Sequence, residues 1–333
     1  MYLTGKPDPE VVRGSASDEV IFLGFSSKQV RGLKLAAIAK VRKLVSERDF
    51  VMCIAHRAKP TYVALLATSL PVVSIHHNYN DFGRFSRRLL VNLCRKRLLM
   101  LCVSDSVRDE MRSHLSHWPA EQIETLYNRI DVEAVTSALV PRDQARQALQ
   151  LPEDRYVIAN VGRLHHDKDQ ATLLKGYARA LPELPANTEL VILGKGPLER
   201  ELKALADSLN IADRVRFLGV IPDARRYFRA FDLFALTSDH EPFGMVLLEA
   251  MAADLPIICS NSGGGAEVVA GVGTLFPLGD VEALASCMLS VKDHKISRYS
   301  LVTQELLAHR FSDEAARTSF FSLPFIQRII NQL

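Results

Sequence analysis

At 333 residues the chain is long enough for two domains, and with 48% hydrophobic and 24% charged residues its composition is that of an ordinary globular protein. A net charge of +3 gives no reason to expect nucleic acid as a partner. Five scattered cysteines without zinc spacing argue against a disulfide framework, and the start MYLTGKPDPE lacks the cationic segment and apolar core of a signal peptide; the longest uncharged apolar-rich run, 62–75, is broken by Pro71 and too short to cross a bilayer.

Short apolar runs alternate along the chain with amphipathic ones. In the first part they predict strands at 20–25, 50–55, 72–75, 98–103 and 123–126, with helices at 29–45, 61–69, 85–97 and from Ser106. The stretch 131–154 carries Pro141, Pro152 and several charges, lacks a clear strand, and reads as a connection. A fresh alternation follows, with strands predicted at 156–161, 189–193, 214–218, 231–236, 257–260 and 273–276 and a helix at 281–291. Ser312-Asp313-Glu314 signals one more helix start. The alternation predicts an α/β protein of two doubly wound domains, each a parallel sheet with helices on both faces. The expected boundaries are a first domain over 1–135, a linker over 136–154, a second domain over 155–310 and a final helical segment over 311–333.

The most informative stretch is 237–260, TSDHEPFGMVLLEAMAADLPIICS. Glu241 sits in a loop, Pro242 stiffens the chain after it, and Phe243-Gly244 leads into an apolar helical run, Met245 and Val246 onward, interrupted by Glu249. A carboxylate inside such a run costs desolvation unless a group donates to it, so Glu249 faces either a fixed protein partner or a ligand hydroxyl. Gly244 allows close approach to a helix start whose free amides and dipole favour an anion such as a diphosphate. Taken alone, the two glutamates fit a ligand grip no better than a plain structural reading, in which Glu241 is an acid at a helix start and Glu249 a paired acid within the helix.

A second motif, Asn160-Val161-Gly162-Arg163-Leu164-His165-His166-Asp167-Lys168-Asp169, falls where a strand ends and a helix begins, the usual ligand position of an open α/β sheet. Gly162 permits a tight exit, and Arg163 and Lys168 can both reach a diphosphate and neutralise a leaving nucleotide. The histidines and aspartates of this loop read as solvated charge, and no metal site is expected. Gly194-Lys195-Gly196-Pro197 closes another strand and on its own is a tight turn as readily as a nucleotide loop. In the first domain the strand at 72–75 runs into His76-His77-Asn78, which places imidazole where it meets a sugar hydroxyl. The stretch 82–97 interleaves six cations with Phe82, Phe85, Leu89, Leu90 and Leu93; it suits either an anionic membrane or phosphorylated glycolipid, or a solvated helix face.

Together, the acid, turn glycine, hydrophobic run, Glu249-Ala250, Leu255-Pro256, the following strand and Gly263-Gly264-Gly265 with Glu267 resemble the donor-binding half of retaining glycosyltransferase family 4. The resemblance implies the GT-B fold, two facing Rossmann-like domains whose C-terminal helix crosses back to the first. It implies that Arg163 and Lys168 bind the donor diphosphate, that Glu241 holds donor sugar hydroxyls, that Glu249 holds the ribose, and that His77 lies close to the donor sugar. Those four of catalytic rank, His77, Glu241, Arg163 and Lys168, would be joined in donor binding by Gly162, Gly194, Gly196, Leu218, Val220, Phe243, Gly244, Met245, Val246 and Glu249, with His76 and Asn78 on the acceptor side. The base is read by backbone near Val215-Arg216-Phe217-Leu218-Gly219-Val220 and leaves no side-chain signature; a UDP-sugar is favoured, with GDP- and ADP-sugars open. Family chains normally begin with a strand and a Gly-rich loop, whereas Met1-Tyr2-Leu3-Thr4-Gly5 looks like their second strand, so one opening strand-loop-helix unit is expected to be absent.

The expectation is therefore a retaining, metal-independent glycosyltransferase of hexosyltransferase type, without cofactor. It would move a sugar from a nucleotide diphosphate donor to a saccharide or lipid-linked acceptor in lipopolysaccharide or other surface glycan synthesis. It would work in the cytoplasm, with peripheral contact at the inner membrane face through 82–97 and no nucleic-acid partner. The alternatives are a nucleotide-sugar epimerase of the same fold and a truncated, non-catalytic nucleotide-binding protein.

Overall fold

The computed structural model describes residues 1–291 and 299–332. The chain divides into two compact units, the first comprising Met1–Val103, Val107–Thr125 and the stretch from Ser322, the second Ser104–Ser106 and Leu126–Phe321.

In the first unit, β1 (Tyr2–Thr4) and β2 (Phe22–Phe25) form a parallel pair. A separate four-stranded parallel sheet runs in chain order through β3 (Cys53–His56), β4 (Val72–His76), β5 (Leu98–Cys102) and β6 (Ile123–Thr125). All five residues of β5, LLMLC, are buried, the continuous apolar run that a strand covered on both faces requires. Helices Leu35–Ser46 and Ala58–Ala67 bury Ala37, Ile38, Val41, Val63 and Ala67 against Leu23 of β2. The first helix starts six residues later than periodicity predicts, because Gly32 and Lys34 take left-handed backbone (φ +58° and +54°). The helix predicted over 85–97 ends at Leu93, and Arg95–Arg97 form a tighter turn. That turn is held by the Arg97 guanidinium, which donates to the carbonyls of Leu70 (2.9 Å) and Leu65. The C-terminal helix Pro324–Ile330 belongs to this unit and buries Phe325, Ile326 and Ile329.

The second unit is one six-stranded parallel sheet of β7 (Tyr156–Val161), β8 (Thr188–Leu193), β9 (Val215–Gly219), β10 (Leu233–Leu236), β11 (Ile257–Ser260) and β12 (Thr274–Phe276). Its spatial order is β12-β11-β10-β7-β8-β9. The chain leaves β7 towards β8 and β9, then returns to the other side of β7 as β10. Crossovers therefore depart in opposite directions from β7 and β10, which opens a crevice at the carboxyl ends of those two strands. Helix Gln170–Ala180 buries Leu173, Leu174, Tyr177 and Ala180 against the sheet, and Leu284 and Met288 of helix Val281–Val291 pack beside them.

The connection expected over 136–154 takes in the end of helix Val132–Ser137 and the whole of helix Arg142–Ala148. Arg146, 1% exposed, fastens it. Its guanidinium donates to the carbonyls of Ala230 (3.0 Å), Pro152 (2.9 Å), Arg155 (2.9 Å) and Glu153, and to the Asp232 carboxylate (2.9 Å). Arg146→Ala leaves four carbonyls without this donor, while Asp232 keeps Arg142 (2.6 Å) and the Val157 amide (2.8 Å), and the change is expected to cost about 3–5 kcal/mol in the chemical denaturation of the second unit. A loss below about 1 kcal/mol contradicts this role.

Candidate functional site

The crevice predicted by strand order is lined by two loops, 162–169 after β7 and 237–244 after β10. They are tied together. Thr237 Oγ1 donates to the Lys168 carbonyl (3.0 Å), and the Asp239 amide to the Asp167 carbonyl (3.0 Å). Beneath them Asn160 Nδ2 donates to the Ala235 carbonyl (2.8 Å), and Gln170 Nε2 to the Arg163 carbonyl (3.0 Å). The lacing closes on an ion pair, Lys168 Nζ to Glu241 Oε2 at 2.5 Å, with both side chains mostly buried. Ser238 Oγ donates to the same carboxylate oxygen (3.1 Å). The Glu241 carbonyl accepts from the Gly264 amide (2.8 Å), so backbone and side chain are both fixed. Arg163 is exposed and reaches Asp167 at 3.3 Å, free to turn towards a ligand.

Glycine is required here for close approach. A side chain at Gly194, where φ is +131°, overlaps the Gly162 carbonyl, and one at Gly196 overlaps the Leu164 carbonyl. The amides of Gly162 and Leu164 donate to the carbonyls of Leu193 (2.9 Å) and Lys195 (3.2 Å), joining this loop to the first. The Gly194 amide donates to the Gly219 carbonyl (2.7 Å), which brings in the end of β9, where Leu218 is half-buried and Val220 exposed.

Helix Met245–Ala252 opens at Gly244, whose φ of +89° is left-handed, and no side chain caps it. Phe243 is buried edge-on against Phe311 and tilted against Tyr127, so its side chain anchors the loop. Met245 is exposed and Val246 half-buried on the first turn. Glu249 lies one turn further along. Among the described residues nothing donates to its carboxylate, and burial raises its pKa, Arg225 opposing and Asp223 adding. Arg225 is engaged with Asp223 instead (3.1 Å). Of the two possibilities the sequence left for Glu249, a fixed partner is not provided. The loop residues read as solvated charge do have partners: His165 Nδ1 meets Asp167 Oδ1 at 2.5 Å, and Asp169 accepts from the Thr172 amide (3.2 Å) to cap helix Gln170–Ala180.

The first unit holds the histidines. His76, expected on the acceptor side, is fully buried, with Nε2 on Ser74 Oγ (2.7 Å) and Nδ1 on Asp81 (2.7 Å). Both nitrogens serve the protein, so His76 braces the loop and presents nothing to solvent; Asn78 is exposed. His77 stacks on His56, with Nε2 2.8 Å from His56 Nδ1. One nitrogen donates and the other accepts, so the two rings share a proton. Burial first, then the positive fields of His56, Arg57 and His76, pushes the His77 imidazole down to about 4, with Asp81 opposing. Burial likewise lowers His56. Sequence reading overlooked His56 and Ser238, and took Asp167 as solvated charge, whereas it meets Arg163 and His165. Adjacent parallel strands both ending in histidine, β3 at His56 and β4 at His76, were the available signal for the first.

Residues 3–134 match the family described as Glycosyltransferase Family 4, and residues 141–305 the one described as Glycosyl transferases group 1. The chain belongs to the family 4, group 1 glycosyltransferases and has the GT-B fold of two Rossmann-like units. It is 30% identical over 225 residues to the N-acetylgalactosamine-N,N'-diacetylbacillosaminyl-diphospho-undecaprenol 4-alpha-N-acetylgalactosaminyltransferase of Campylobacter jejuni, covering 64% of this chain and 58% of that protein. It is 32% identical over 211 residues to the lipopolysaccharide core biosynthesis glycosyltransferase LpsD of Rhizobium meliloti, covering 61% and 60%. The chain thus spans about three fifths of the length of these two relatives. Among solved structures it resembles Anabaena HepE in complex with UDP, at a TM-score of 0.72 and 24% identity over 89% of this chain and 81% of that one.

The depressed His77 value has a consequence for stability. Above the ordinary imidazole pKa near 6.5, folded and unfolded chains are both neutral at this position and the contribution is complete. As pH falls towards about 4, the unfolded chain takes up a proton that the fold resists, and stability is lost. His77→Asn is expected to lessen the drop in melting temperature across that interval, and an identical drop in wild type and variant contradicts the assignment.

Proposed function

We propose that this chain is a retaining, metal-independent glycosyltransferase that takes a sugar from a nucleotide diphosphate, a UDP-sugar by preference, and places it on a saccharide or lipid-linked acceptor of a surface glycan. The observation that carries the proposal is the crevice at the ends of β7 and β10. It combines a glycine-built backbone cradle, two cations and two acids, one acid fixed and one lacking a donor. Lys168 and Arg163 meet the diphosphate, and their charge stabilises the leaving nucleotide without requiring a cation from solution. Glu241, already held by Lys168 and Ser238, receives sugar hydroxyls, and Glu249 receives the ribose diol that supplies its missing donors. On the first unit the neutral His77 meets a sugar hydroxyl through the nitrogen that His56 leaves open.

The preference for UDP draws support from the UDP held by Anabaena HepE, and the surface-glycan acceptor from the names of the two relatives. Those names are of transferases, which does not favour an epimerase or a non-catalytic relic. No helix among the described residues is long and apolar enough to cross a membrane. Helix Phe85–Leu93, however, leaves Phe85 72%, Leu89 50% and Leu93 77% exposed at successive i, i+4 positions, an apolar stripe beside arginines that suits peripheral contact with an anionic cytoplasmic leaflet.

A panel of nucleotide sugars, with and without glycolipid acceptor, tests the reading. Transfer is expected with retained anomeric configuration by proton NMR and unchanged rate in EDTA. Arg163→Ala and Lys168→Ala are each expected to lower turnover on the order of 100-fold in folded protein. Inversion of the anomer, loss of activity in EDTA restored by a divalent metal, or unchanged turnover in both variants overturns the corresponding part.

A further inference from the structure

The first unit contains a cavity of about 760 Å³ bounded by residues of two helices, Ala58–Ala67 and Phe85–Leu93, by Phe82 and Arg84 ahead of the second, and by the segment 30–34 that leads into helix Leu35–Ser46. Five cations line it: Arg31, Lys34, Lys59, Arg84 and Arg87. None of its described lining residues is a carboxylate, and none of the five cations pairs with an acid among the described residues. The acid nearest in sequence to the helix Phe85–Leu93, Asp81, is engaged with His76 at 2.7 Å. Two of the cations are held in place. Lys34 Nζ donates to the Gly32 carbonyl (2.7 Å) and stands 4.1 Å above the Tyr62 ring, while Arg87 donates to the Asp81 carbonyl (2.7 Å). Burial lowers the Lys34 pKa, and the fields of Lys59 and Arg87 lower it further.

The helix starts reinforce the charge. The residues preceding the three helices are Lys34, Arg57 and Arg84; no side chain caps any of them, and no acid occupies any first turn. Helix starts ordinarily take Ser, Thr, Asp or Asn as caps, because free amides and the dipole already make them positive. Lys34 and Arg84 line the cavity, whereas Arg57 stands outside its lining next to Ala58; a cation at a helix start adds to the positive end of the dipole, and an anion in the cavity offsets it for the first two. Three arginines and two lysines around one volume match an anion with several oxygens and more than one charge. The volume far exceeds one phosphate, and Val30, Tyr62, Phe82 and Leu90 give the walls an apolar part.

We infer that this cavity binds the phosphate or diphosphate group of an organic molecule, and that in the proposed transfer this molecule is the acceptor. The second clause rests on the transferase reading; the first does not. The group is held by chemistry that a lipid headgroup and a water-soluble phosphate share.

The test is calorimetric titration of inorganic pyrophosphate and, separately, of UDP into the whole chain, into Lys59→Ala/Arg84→Ala and into Arg163→Ala. Lys59 and Arg84 are exposed, so their removal spares the core. Wild type is expected to take up pyrophosphate at two sites. The double variant should lose at least about tenfold in affinity at one of them with UDP binding unchanged, and Arg163→Ala should do the reverse. Vesicles of phosphatidylcholine with and without phosphatidic acid separate the sources. Binding to the acidic vesicles only, competed by pyrophosphate and lost in the double variant, marks a lipid-borne phosphate; pyrophosphate binding without vesicle binding marks a soluble one. A single pyrophosphate site abolished by Arg163→Ala, or equal pyrophosphate affinity in wild type and double variant, overturns the cavity assignment and leaves the transferase reading standing. A cavity that binds as expected in a protein with no affinity for UDP supports the first clause and overturns the second.

Discussion

The ion pair between Lys168 and Glu241 is the constraint on which the second unit's site depends. Two loops from neighbouring strands have no reason of their own to stay together, since loop backbone is solvated and mobile by default. Here a mostly buried ammonium and carboxylate meet at 2.5 Å across them, with Ser238 as a second donor to the acid. Removing either charge strands the other in a low-dielectric place, so the pair sets geometry more firmly than it adds stability. The same two groups are the ones a diphosphate and a sugar would meet. The site is therefore assembled before a ligand arrives, which lowers the ordering cost of binding. Glu249 is the exception: it is half-buried, burial raises its pKa, and among the described residues no protein group donates to its carboxylate, which leaves it open to a ligand donor.

Strand order explains why these residues converge. β7 and β10 are neighbours although about 70 residues separate them in sequence, because the sheet is wound outwards in both directions from them. Glycines at 194 and 196 then let a third loop press onto the first with no side chain between. Each feature has a local cause, and the convergence is a property of topology.

Much of this was legible in the sequence because parallel strands covered on both faces are written as unbroken apolar runs; β7, β8, β11 and helix Val281–Val291 fall at or within a residue of their expected places. The motif residues were legible because turn glycines and an acid in an apolar helix are locally anomalous. What escaped notice depends on pairing at a distance. His56 looks like any strand-end polar residue until β3 pairs with β4, and Ser238 gains meaning only through Glu241. His76 was misjudged for the same reason, since its burial comes from Ser74 and Asp81 closing around it. The late start of helix Leu35–Ser46 was hidden because Lys34 is not a residue that usually adopts left-handed backbone; its neighbours in the cationic cavity supply the setting.

The division of labour between the two acids is the centre of this account, and comparing the affinity of UDP with that of a UDP-sugar in wild type, Glu241→Gln and Glu249→Ala tests it most directly. Glu249→Ala should weaken both ligands equally, on the order of tenfold, because each carries the ribose. Glu241→Gln should leave UDP unchanged and weaken only the sugar-bearing ligand. Equal weakening of UDP and UDP-sugar by Glu241→Gln, or unchanged UDP affinity in Glu249→Ala, would contradict it.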